Sequence, residues 1–214
     1  MVLTLYGLSF STCTKRVATV MHEKQVPFKL VQVDYLKNEH KSPAFLEKQP
    51  FGQVPYLDDD GYIIYESRAI CRYIAEKYAD QGTALIPRDL KAKGLFEQAA
   101  SVELSNFDYY ATRAVFEVVY KPKLGLVPDS AVFDSLVATL EQKLDAYDRI
   151  LSKQKYLSGD EVTLADLFHL PYAVSLPEAG VNAMEVRPNV ARWLKDLTSR
   201  PSWQTIKDGI SSTA

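Results

Sequence analysis

The pattern of apolar and polar positions divides the chain into two parts of different character. In residues 1–80, short runs rich in β-branched and aromatic residues predict strands, and apolar residues spaced three and four apart predict helices. The predicted strands are 2–6, 28–34, 54–57 and 62–65. The predicted helices are 14–24, 44–48 and 67–78, the last two begun by Pro43 and Ser67. This order, β-α-β followed by β-β-α, predicts a small α/β domain over residues 1–80.

The second part of the chain carries only helical periodicity. The segment 80–89 (DQGTALIPRD) combines Gly, Pro and polar residues, which is typical of a linker. Beyond it, an apolar stripe from Phe133 to Leu151 recurs at three- and four-residue spacing, and no segment alternates with period two. Residues 88–214 are therefore predicted to form an all-α domain.

Composition and charge exclude several classes of protein. Lys and Arg number 25 against 27 Asp and Glu, so the net charge is -2 and the basic footprint of a nucleic-acid binder is absent. No apolar run is long enough to span a membrane, and the N-terminal residues do not resemble a signal peptide. Two cysteines, Cys13 and Cys71, without a targeting signal favour a reducing compartment. We therefore expect a cytoplasmic protein without nucleic-acid or membrane partners.

Polar residues at the predicted helix starts have two interpretations. Ser11 lies at a strand-to-helix turn, and Ser67 follows Glu66 directly before a helix, so spacing alone favours ordinary N-caps. A helix start also offers backbone N–H groups and positive potential to an anion. His40 and Lys41 fall in a polar loop, where solvent exposure is the simplest interpretation. No His, Cys or carboxylate spacing indicates a metal site.

Several blocks of sequence, taken together, favour the functional interpretation. YGLSFSTCTKRV, EHKSP and QPFGQVPYLDDDGYIIYESRAICRYIAEKY resemble the glutathione-binding core of the phi class of glutathione transferases, a family known from plants and fungi. YLSGDEVTLADLFHLPY is similar to the helical-domain segment of that superfamily, while Gln49 stands where the phi class usually has Asn. The resemblance implies a thioredoxin-like domain over residues 1–80, an all-α domain over 88–214, and a homodimer. The implied activity is conjugation of glutathione to hydrophobic electrophiles in detoxification, with glutathione as co-substrate and no other cofactor.

The resemblance also implies roles for individual residues. Ser11 holds the glutathione sulfur as a thiolate, and a cis bond before Pro55 exposes the backbone of Val54 to the cysteinyl residue. Glu66 pairs with the γ-glutamyl ammonium and Ser67 receives its carboxylate. The full set implied to bind glutathione is Ser11, Thr12, His40, Lys41, Gln53, Val54, Pro55, Glu66, Ser67 and Arg68.

Ser11 needs to stabilise the glutathione thiolate by only a small free energy. A free thiol has a pKa of about 8.5, and lowering it by about two units needs only about 2.7 kcal/mol of preferential stabilisation of the thiolate. One hydroxyl donor and a helix start can supply this. Cys13, near the same helix start, raises the alternative of a catalytic cysteine and thiol-disulfide exchange. The motif aligns Ser11 with the catalytic position, so we expect Cys13 to be non-catalytic and Cys71 to be a core residue.

The acceptor is expected to bind in an apolar pocket between the domains. Candidate lining residues are Phe10, Tyr35, Val115, Phe116 and Val119. Reduction of peroxides by the same thiolate is an expected side activity. The alternatives are a non-catalytic carrier of hydrophobic ligands and a transferase-like interaction domain.

One further pattern concerns stability. In GDEVTLADLFHL, Thr163 precedes Asp166 by three residues at the start of an apolar run, which predicts a capping box with Asp in place of the usual Glu or Gln. Val162 and Leu167 fit the accompanying hydrophobic staple. His22 and His169 are expected to be structural.

Overall fold

The computed structural model describes residues 2–214, and its first part is built on a four-stranded sheet. The strands are β1 (Leu3–Gly7), β2 (Phe28–Gln32), β3 (Tyr56–Asp59) and β4 (Tyr62–Tyr65). Their spatial order is β2-β1-β3-β4, with β1 parallel to β2 and antiparallel to β3, and with β3 antiparallel to β4. All four predicted strands are thus present. β3 begins two residues later than predicted, at Tyr56, since Pro55 has no N–H to donate to a neighbouring strand.

Helices cover the sheet. They are α1 (Thr12–Glu23), α2 (Pro43–Leu46) and α3 (Ser67–Lys77), and a short 3₁₀ turn covers Glu39–Lys41. α1 and α3 pack against each other and bury apolar side chains such as Val17 and Ile74. This arrangement confirms the predicted thioredoxin-like domain.

The two faces of the sheet bury different side chains. On one face, Tyr6 stacks on Tyr56 with ring centroids 4.4 Å apart, and Phe45 of α2 meets Tyr56 edge-on at 5.2 Å. Because side chains alternate along a strand, Leu3 and Leu5 of β1 point to the opposite face, where both are fully buried. Each such burial contributes about 1.5–3 kcal/mol to folding.

The chain divides into two compact units whose bounds differ from the predicted domains. The first unit extends to Ile86 and regains Arg200–Ala214, and the second is Pro87–Ser199. The sequence placed residues 200–214 with the helical domain, whereas the structure groups them with the sheet. The physical reason is a network of hydrogen bonds: Arg200 binds the Glu23 carboxylate through Nε (2.6 Å) and Nη2 (2.8 Å), and Thr213 pairs with Phe28 of β2.

The second unit is helical, as predicted. Its helices are α4 (Leu90–Glu103), α5 (Tyr109–Val115), α6 (Lys121–Lys123), α7 (Ser130–Leu151), α8 (Leu164–Ala173) and α9 (Pro188–Ser199); α10 (Pro201–Ile206) belongs to the first unit. Two five-residue π-helical segments, Leu104–Asp108 and Phe116–Tyr120, flank α5. Within residues 2–214, none of the helices combines the length and apolar character needed to cross a bilayer.

The start of α8 confirms the predicted capping box and adds to it. Asp166 is fully buried, and its Oδ2 accepts from the Thr163 N–H at 2.9 Å and from the Thr163 hydroxyl at 3.1 Å. Its Oδ1 accepts from the N–H of Leu157 (2.9 Å) and from Nε1 of Trp193 (3.0 Å). Burial raises the pKa of Asp166, against the opposing effect of these hydrogen bonds. The carboxylate therefore joins three segments of the second unit.

His169 is a core residue, as predicted. Its ring is fully buried, with Nδ1 2.7 Å from the Ala165 carbonyl and Nε2 3.1 Å from the Tyr147 hydroxyl. A carbonyl can only accept, so Nδ1 carries the proton and Nε2 accepts from Tyr147. Both ring nitrogens are therefore used within the core, which leaves His169 no chemical role.

Candidate functional site

The residues named by the sequence motifs follow strand ends that share one edge of the sheet. Tyr6 of β1 is in register with Val31 of β2 and with Tyr56 of β3, and Tyr56 is in register with Tyr65 of β4. The carboxyl ends of β1, β2 and β4 and the amino end of β3 therefore coincide. Ser11, the loop with His40, the Val54-Pro55 bond and Glu66 all follow or precede these ends, so they lie at the same edge.

Ser11 is the N-cap of α1, and its geometry leaves its proton available. Its backbone is extended (φ -65°, ψ 130°), and its Oγ accepts from the Thr14 N–H at 3.4 Å. The side chain is partly exposed. Because the cap uses a lone pair of the oxygen, the hydroxyl proton can still be donated to a ligand. The first amides of α1 have no partner within the helix, and they add positive potential at the same point.

Ser67 is the first residue of α3 rather than its N-cap, which is Glu66, and its hydroxyl is also used as an acceptor. It is 6% exposed, and its Oγ accepts from Nη1 of Arg16 at 2.9 Å. Arg16 lies on α1 and is itself 1% exposed. Since a guanidinium has only donors, the Ser67 hydroxyl keeps its proton for a ligand, and a buried positive charge lies directly behind it. The pair is well suited to receive a carboxylate.

Glu66 holds an uncommon backbone conformation. Its φ of 70° with ψ of 111° is rare for a residue with a side chain, and such conformations are concentrated at functional sites. The side chain is exposed and makes no capping bond to α3. Arg68, on the first turn of α3, is partly exposed.

His40 and Lys41 come together with the loop before β3. Lys41 donates through Nζ to the carbonyl oxygens of Phe51 (3.1 Å) and Gly52 (2.9 Å). Gly52 has a φ of +58°, and a Cβ there would come within 2.7 Å of the His40 carbonyl oxygen, so only glycine fits. The close approach of the two loops thus depends on Gly52.

The His40 ring is buried and aligned with Tyr35. The two rings stack with centroids 3.6 Å apart and planes within 1° of parallel. Burial, followed by the nearby charge of Lys41, lowers the pKa of His40, so the ring is neutral at pH 7. Its Nδ1 is buried without a hydrogen-bonding partner among the described residues. Lys41 therefore supplies the positive charge of this loop, and His40 offers a neutral polar atom.

The Val54-Pro55 bond is cis, which confirms what the family resemblance implied, whereas the rarity of cis X-Pro bonds alone favours trans. Val54 is partly buried and the neighbouring Gln53 is exposed. The Gln53 N–H donates to Oε1 of Gln49 at 3.2 Å, and Gln49 is 1% exposed. The Gln found in place of the phi-class Asn therefore holds the backbone of this loop through its side chain.

The two cysteines are in different environments. Cys13, one residue past Thr12 in the first turn of α1, is partly exposed, with Nη1 of Arg16 3.6 Å from its Sγ. Cys71 is fully buried, and burial raises the pKa of its thiol to about 12. Cys71 is thus the core residue that the sequence predicted.

The residues predicted to contact the acceptor differ in exposure. In the first unit, Phe10 is 72% exposed and Tyr35 is 44% exposed. In the second unit, Phe116 is 40% exposed, whereas Val115 and Val119 are buried. Phe116 and Val119 belong to the π-helical segment Phe116–Tyr120, and π-helical turns are frequent at functional sites.

Three residues of this site were missed in the sequence. Arg16, Gln49 and Gly52 support Ser67, Gln53 and Lys41, respectively. The role of Gly52 could have been predicted, since a glycine before a Gln-Val-Pro turn favours a positive φ. Nothing in the sequence indicated the role of Arg16, because a single basic residue on an amphipathic helix usually faces solvent.

Comparison with known proteins shows which family this chain and its fold belong to. Residues 1–76 match the family model described as Glutathione S-transferase, N-terminal domain, and residues 109–201 match Glutathione S-transferase, C-terminal domain. Glutathione S-transferase PM239X14 of Arabidopsis thaliana is 50% identical over 193 residues, which cover 88% of each chain.

Solved structures agree with these matches. Glutathione transferase F7 from Populus trichocarpa is 42% identical, with a TM-score of 0.93 over 97% of this chain and 98% of that one. Maize glutathione S-transferase I in complex with an atrazine glutathione conjugate is 33% identical, with a TM-score of 0.88 over 97% of both chains. The chain belongs to the glutathione S-transferase family and is similar to its phi class. It is a glutathione transferase.

Proposed function

We propose that Ser11 stabilises the glutathione thiolate while the γ-glutamyl group is received at the start of α3. The observation that carries the proposal is shared by Ser11 and Ser67. Each hydroxyl oxygen accepts a hydrogen bond from the protein, at 3.4 Å from Thr14 N and at 2.9 Å from Arg16 Nη1, so each proton remains free for an anionic ligand atom. Glutathione offers two such anionic groups, the thiolate of its cysteinyl residue and the γ-glutamyl carboxylate.

The remaining contacts follow from the same sheet edge. Val54 offers its backbone N–H and C=O to the cysteinyl residue, and Glu66, exposed and with φ of 70°, offers its carboxylate to the γ-glutamyl ammonium. Lys41 offers charge to the glycine carboxylate, and the unpartnered Nδ1 of His40 offers a polar atom. Thr12, Gln53 and Arg68 complete the set with polar atoms around these three groups.

The reaction requires no cofactor besides glutathione itself. The thiolate attacks an electrophilic carbon, a carbon–sulfur bond forms, and the leaving group departs with the electron pair of its own bond. In a hydroperoxide the same thiolate attacks the terminal oxygen, the O–O bond breaks, and the alcohol leaves after taking up a proton. The sulfenic acid that forms reacts with a second glutathione to give the disulfide and water; this is the proposed side activity. Across residues 2–214, no three His, Cys, Asp or Glu side chains gather as metal ligands would.

The acceptor is a hydrophobic small molecule. The exposed ring of Phe10 directly precedes Ser11, and the half-exposed ring of Tyr35 lies in the loop after β2, so both can contact an apolar acceptor. The conjugate in the maize structure, an atrazine glutathione adduct, supports an aromatic halide as one class of acceptor. Phe116, Val115 and Val119 stay predictions from the sequence, and the burial of Val115 and Val119 is also what core residues of a helix would show.

We further propose a cytoplasmic homodimer that acts in detoxification. Large apolar side chains such as Phe51 (63% exposed) and Tyr62 (53% exposed) remain on the surface of the first unit, and a second copy would cover such rings. Light scattering of the purified protein measures the oligomeric state directly. A monomer at micromolar concentration would contradict this part of the proposal.

A conjugation assay tests the catalytic role. We expect turnover of a chlorodinitro-aromatic acceptor with glutathione, and we expect Ser11→Ala to reduce kcat/KM by about 100-fold, the lower end of the effect of removing one donor to a developing anion. Ultraviolet absorbance of the bound thiolate, titrated with pH, should show a raised thiol pKa in Ser11→Ala. Glutathione binding without turnover of any acceptor would favour the non-catalytic carrier instead.

A further inference from the structure

The C-terminal residues 207–213, called the C-terminal strap below, are attached to the part of the first unit that carries Ser11. Thr213 pairs with Phe28, donating from its N–H to the Phe28 carbonyl (2.9 Å) and accepting from the Phe28 N–H at Oγ1 (3.0 Å). Ser212 Oγ accepts from the N–H of Leu30 at 2.8 Å. Since β2 is the outer strand of the sheet, the strap covers its otherwise unpaired edge.

The strap continues from β2 to the turn between β1 and α1. The Ile210 N–H donates to Ser9 Oγ at 2.7 Å, and Ser9 Oγ donates to the Ile210 carbonyl at 3.0 Å. Lys15 Nζ donates to the Lys207 carbonyl at 2.6 Å, so α1 is held as well. Gly209 adopts φ of +139° beside this contact, and a Cβ there would come within 3.1 Å of Ser9 Oγ. Strap and turn therefore fit closely at Ser9.

The backbone of Ser9 is also held by a hydrogen bond to β2. Its N–H donates to Oε1 of Gln32, the last residue of β2, at 3.2 Å. The same turn closes with the Ser11 N–H donating to the Leu8 carbonyl at 3.1 Å. Ser9 lies inside this turn, so its two anchors determine where the turn places Ser11.

We propose that Ser9 is a positioning residue for Ser11, acting through its paired hydrogen bonds with Ile210 of the C-terminal strap. The Ser11 hydroxyl itself accepts a long hydrogen bond of 3.4 Å from Thr14, so the turn before it must supply much of its orientation. A displaced Ser11 hydroxyl stabilises the thiolate less, and small misplacements of a catalytic group are costly. The inference rests on the proposed role of Ser11.

The test compares Ser9→Ala with Ser9→Thr and with Ser212→Ala in the full-length protein. Ser212→Ala is the matched control, because it also removes a serine hydroxyl that bonds the strap to the first unit, but it does so at β2, away from Ser11. We expect Ser9→Ala to raise the pKa of the bound glutathione thiol and to reduce kcat/KM about tenfold at about pH 6.5, with the loss shrinking above the free thiol pKa of about 8.5. Ser9→Thr, which keeps the hydroxyl, should have the thiol pKa and the kcat/KM of the wild type. Ser212→Ala should leave the thiol pKa and kcat/KM unchanged.

A purely structural role for Ser9 predicts a different result. In that case Ser9→Ala would lower the free energy of unfolding but leave the thiol pKa and the pH profile of the folded enzyme unchanged, which would overturn the inference. Ser11→Ala is measured alongside. If Ser11→Ala raises the thiol pKa and Ser9→Ala does not, the inference alone fails. If Ser11→Ala leaves the thiol pKa unchanged, the proposed role of Ser11 is wrong, and the inference about Ser9 is wrong as well.

Discussion

Arg16 and Ser67 are 51 positions apart in the sequence, yet the Arg16 guanidinium donates to the Ser67 hydroxyl at 2.9 Å with both residues buried. This bond joins the first helix to the third, and it orients the residue proposed to receive the γ-glutamyl carboxylate. It also places a buried positive charge behind that residue, where it strengthens anion binding.

Arg16→Met is expected to weaken glutathione binding about tenfold, because the hydroxyl loses its orienting donor and the carboxylate loses a nearby charge. The γ-glutamyl group is remote from the sulfur, so KM should rise more than kcat falls. Calorimetry with glutathione and with the dipeptide Cys-Gly measures this directly. Arg16→Lys, which keeps the charge, should lose less. An equal loss of affinity for both peptides would show that Arg16 acts only on the fold.

Cys13→Ser should leave conjugation within about twofold of the wild type, since substitutions away from the reacting atoms have small effects. Cys13 lies two residues after the Ser11 cap, and Cys71, with a thiol pKa of about 12, does not ionise near neutral pH. Steady-state kinetics and mass spectrometry of the glutathione-treated enzyme provide the measurement. Loss of activity together with a mixed disulfide on Cys13 would reassign the protein to thiol-disulfide exchange.

Asp166→Ala should lower the free energy of unfolding by about 3–5 kcal/mol, more than the ~1 kcal/mol of a simple cap. The larger value follows because the N–H of Leu157, the N–H of Thr163 and Nε1 of Trp193 all lose a buried acceptor. Urea unfolding measures it. Asp160→Ala, which removes an exposed carboxylate bonded to one N–H at 3.3 Å, is the matched control and should change stability by about 0.5 kcal/mol or less.

Turnover per folded molecule should survive in Asp166→Ala. Lost turnover with unchanged stability would instead give this carboxylate a catalytic role. Because burial raises the pKa of Asp166, the folded state holds its proton more tightly than the unfolded state does. This group therefore opposes acid unfolding, and the acid sensitivity of the protein must come from other carboxylates.

Glu23 is one such carboxylate. Burial acts to raise its pKa, but hydrogen bonds from Arg200, Ser202 and Thr83 outweigh it, so the pKa is lowered from 4.5. A lowered folded pKa gives stability that is complete above the unfolded value and is lost as pH falls through the folded value. The free energy of unfolding should therefore decline below about pH 4.5 in the wild type, and less steeply in Glu23→Gln.

At neutral pH, Glu23→Gln should also be less stable by about 1.5–3 kcal/mol, because the partly buried Arg200 loses its charged partner. Asp208→Asn is the control, since the Asp208 side chain is 90% exposed. Urea unfolding between pH 3 and pH 7, at about one-unit steps, provides both quantities. If the free energy of unfolding depends on pH in the same way in the wild type and in Glu23→Gln, then Glu23 does not cause the loss of stability in acid.

The sequence by itself determined the order and type of the elements, because period-two and helical patterns and capping residues act over a few positions. It predicted the four strands, the helices α1 and α3, and the Thr163–Asp166 box, each from neighbouring residues. The residues proposed to bind glutathione were different. Their residue types alone favoured ordinary caps and a solvated loop, and only the resemblance to a family singled them out.

Tertiary structure alone decided the features that join distant parts of the chain. Arg16 is buried because α3 packs over it, and residues 200–214 return to the first unit because Glu23 and the edge of β2 offer partners there. The φ of Glu66 is held by the junction of β4 with α3. Each of these features depends on contacts between residues tens of positions apart. Local sequence preferences contain no information about such contacts, because the contacts stabilise the protein only after the chain has folded and brought the residues together.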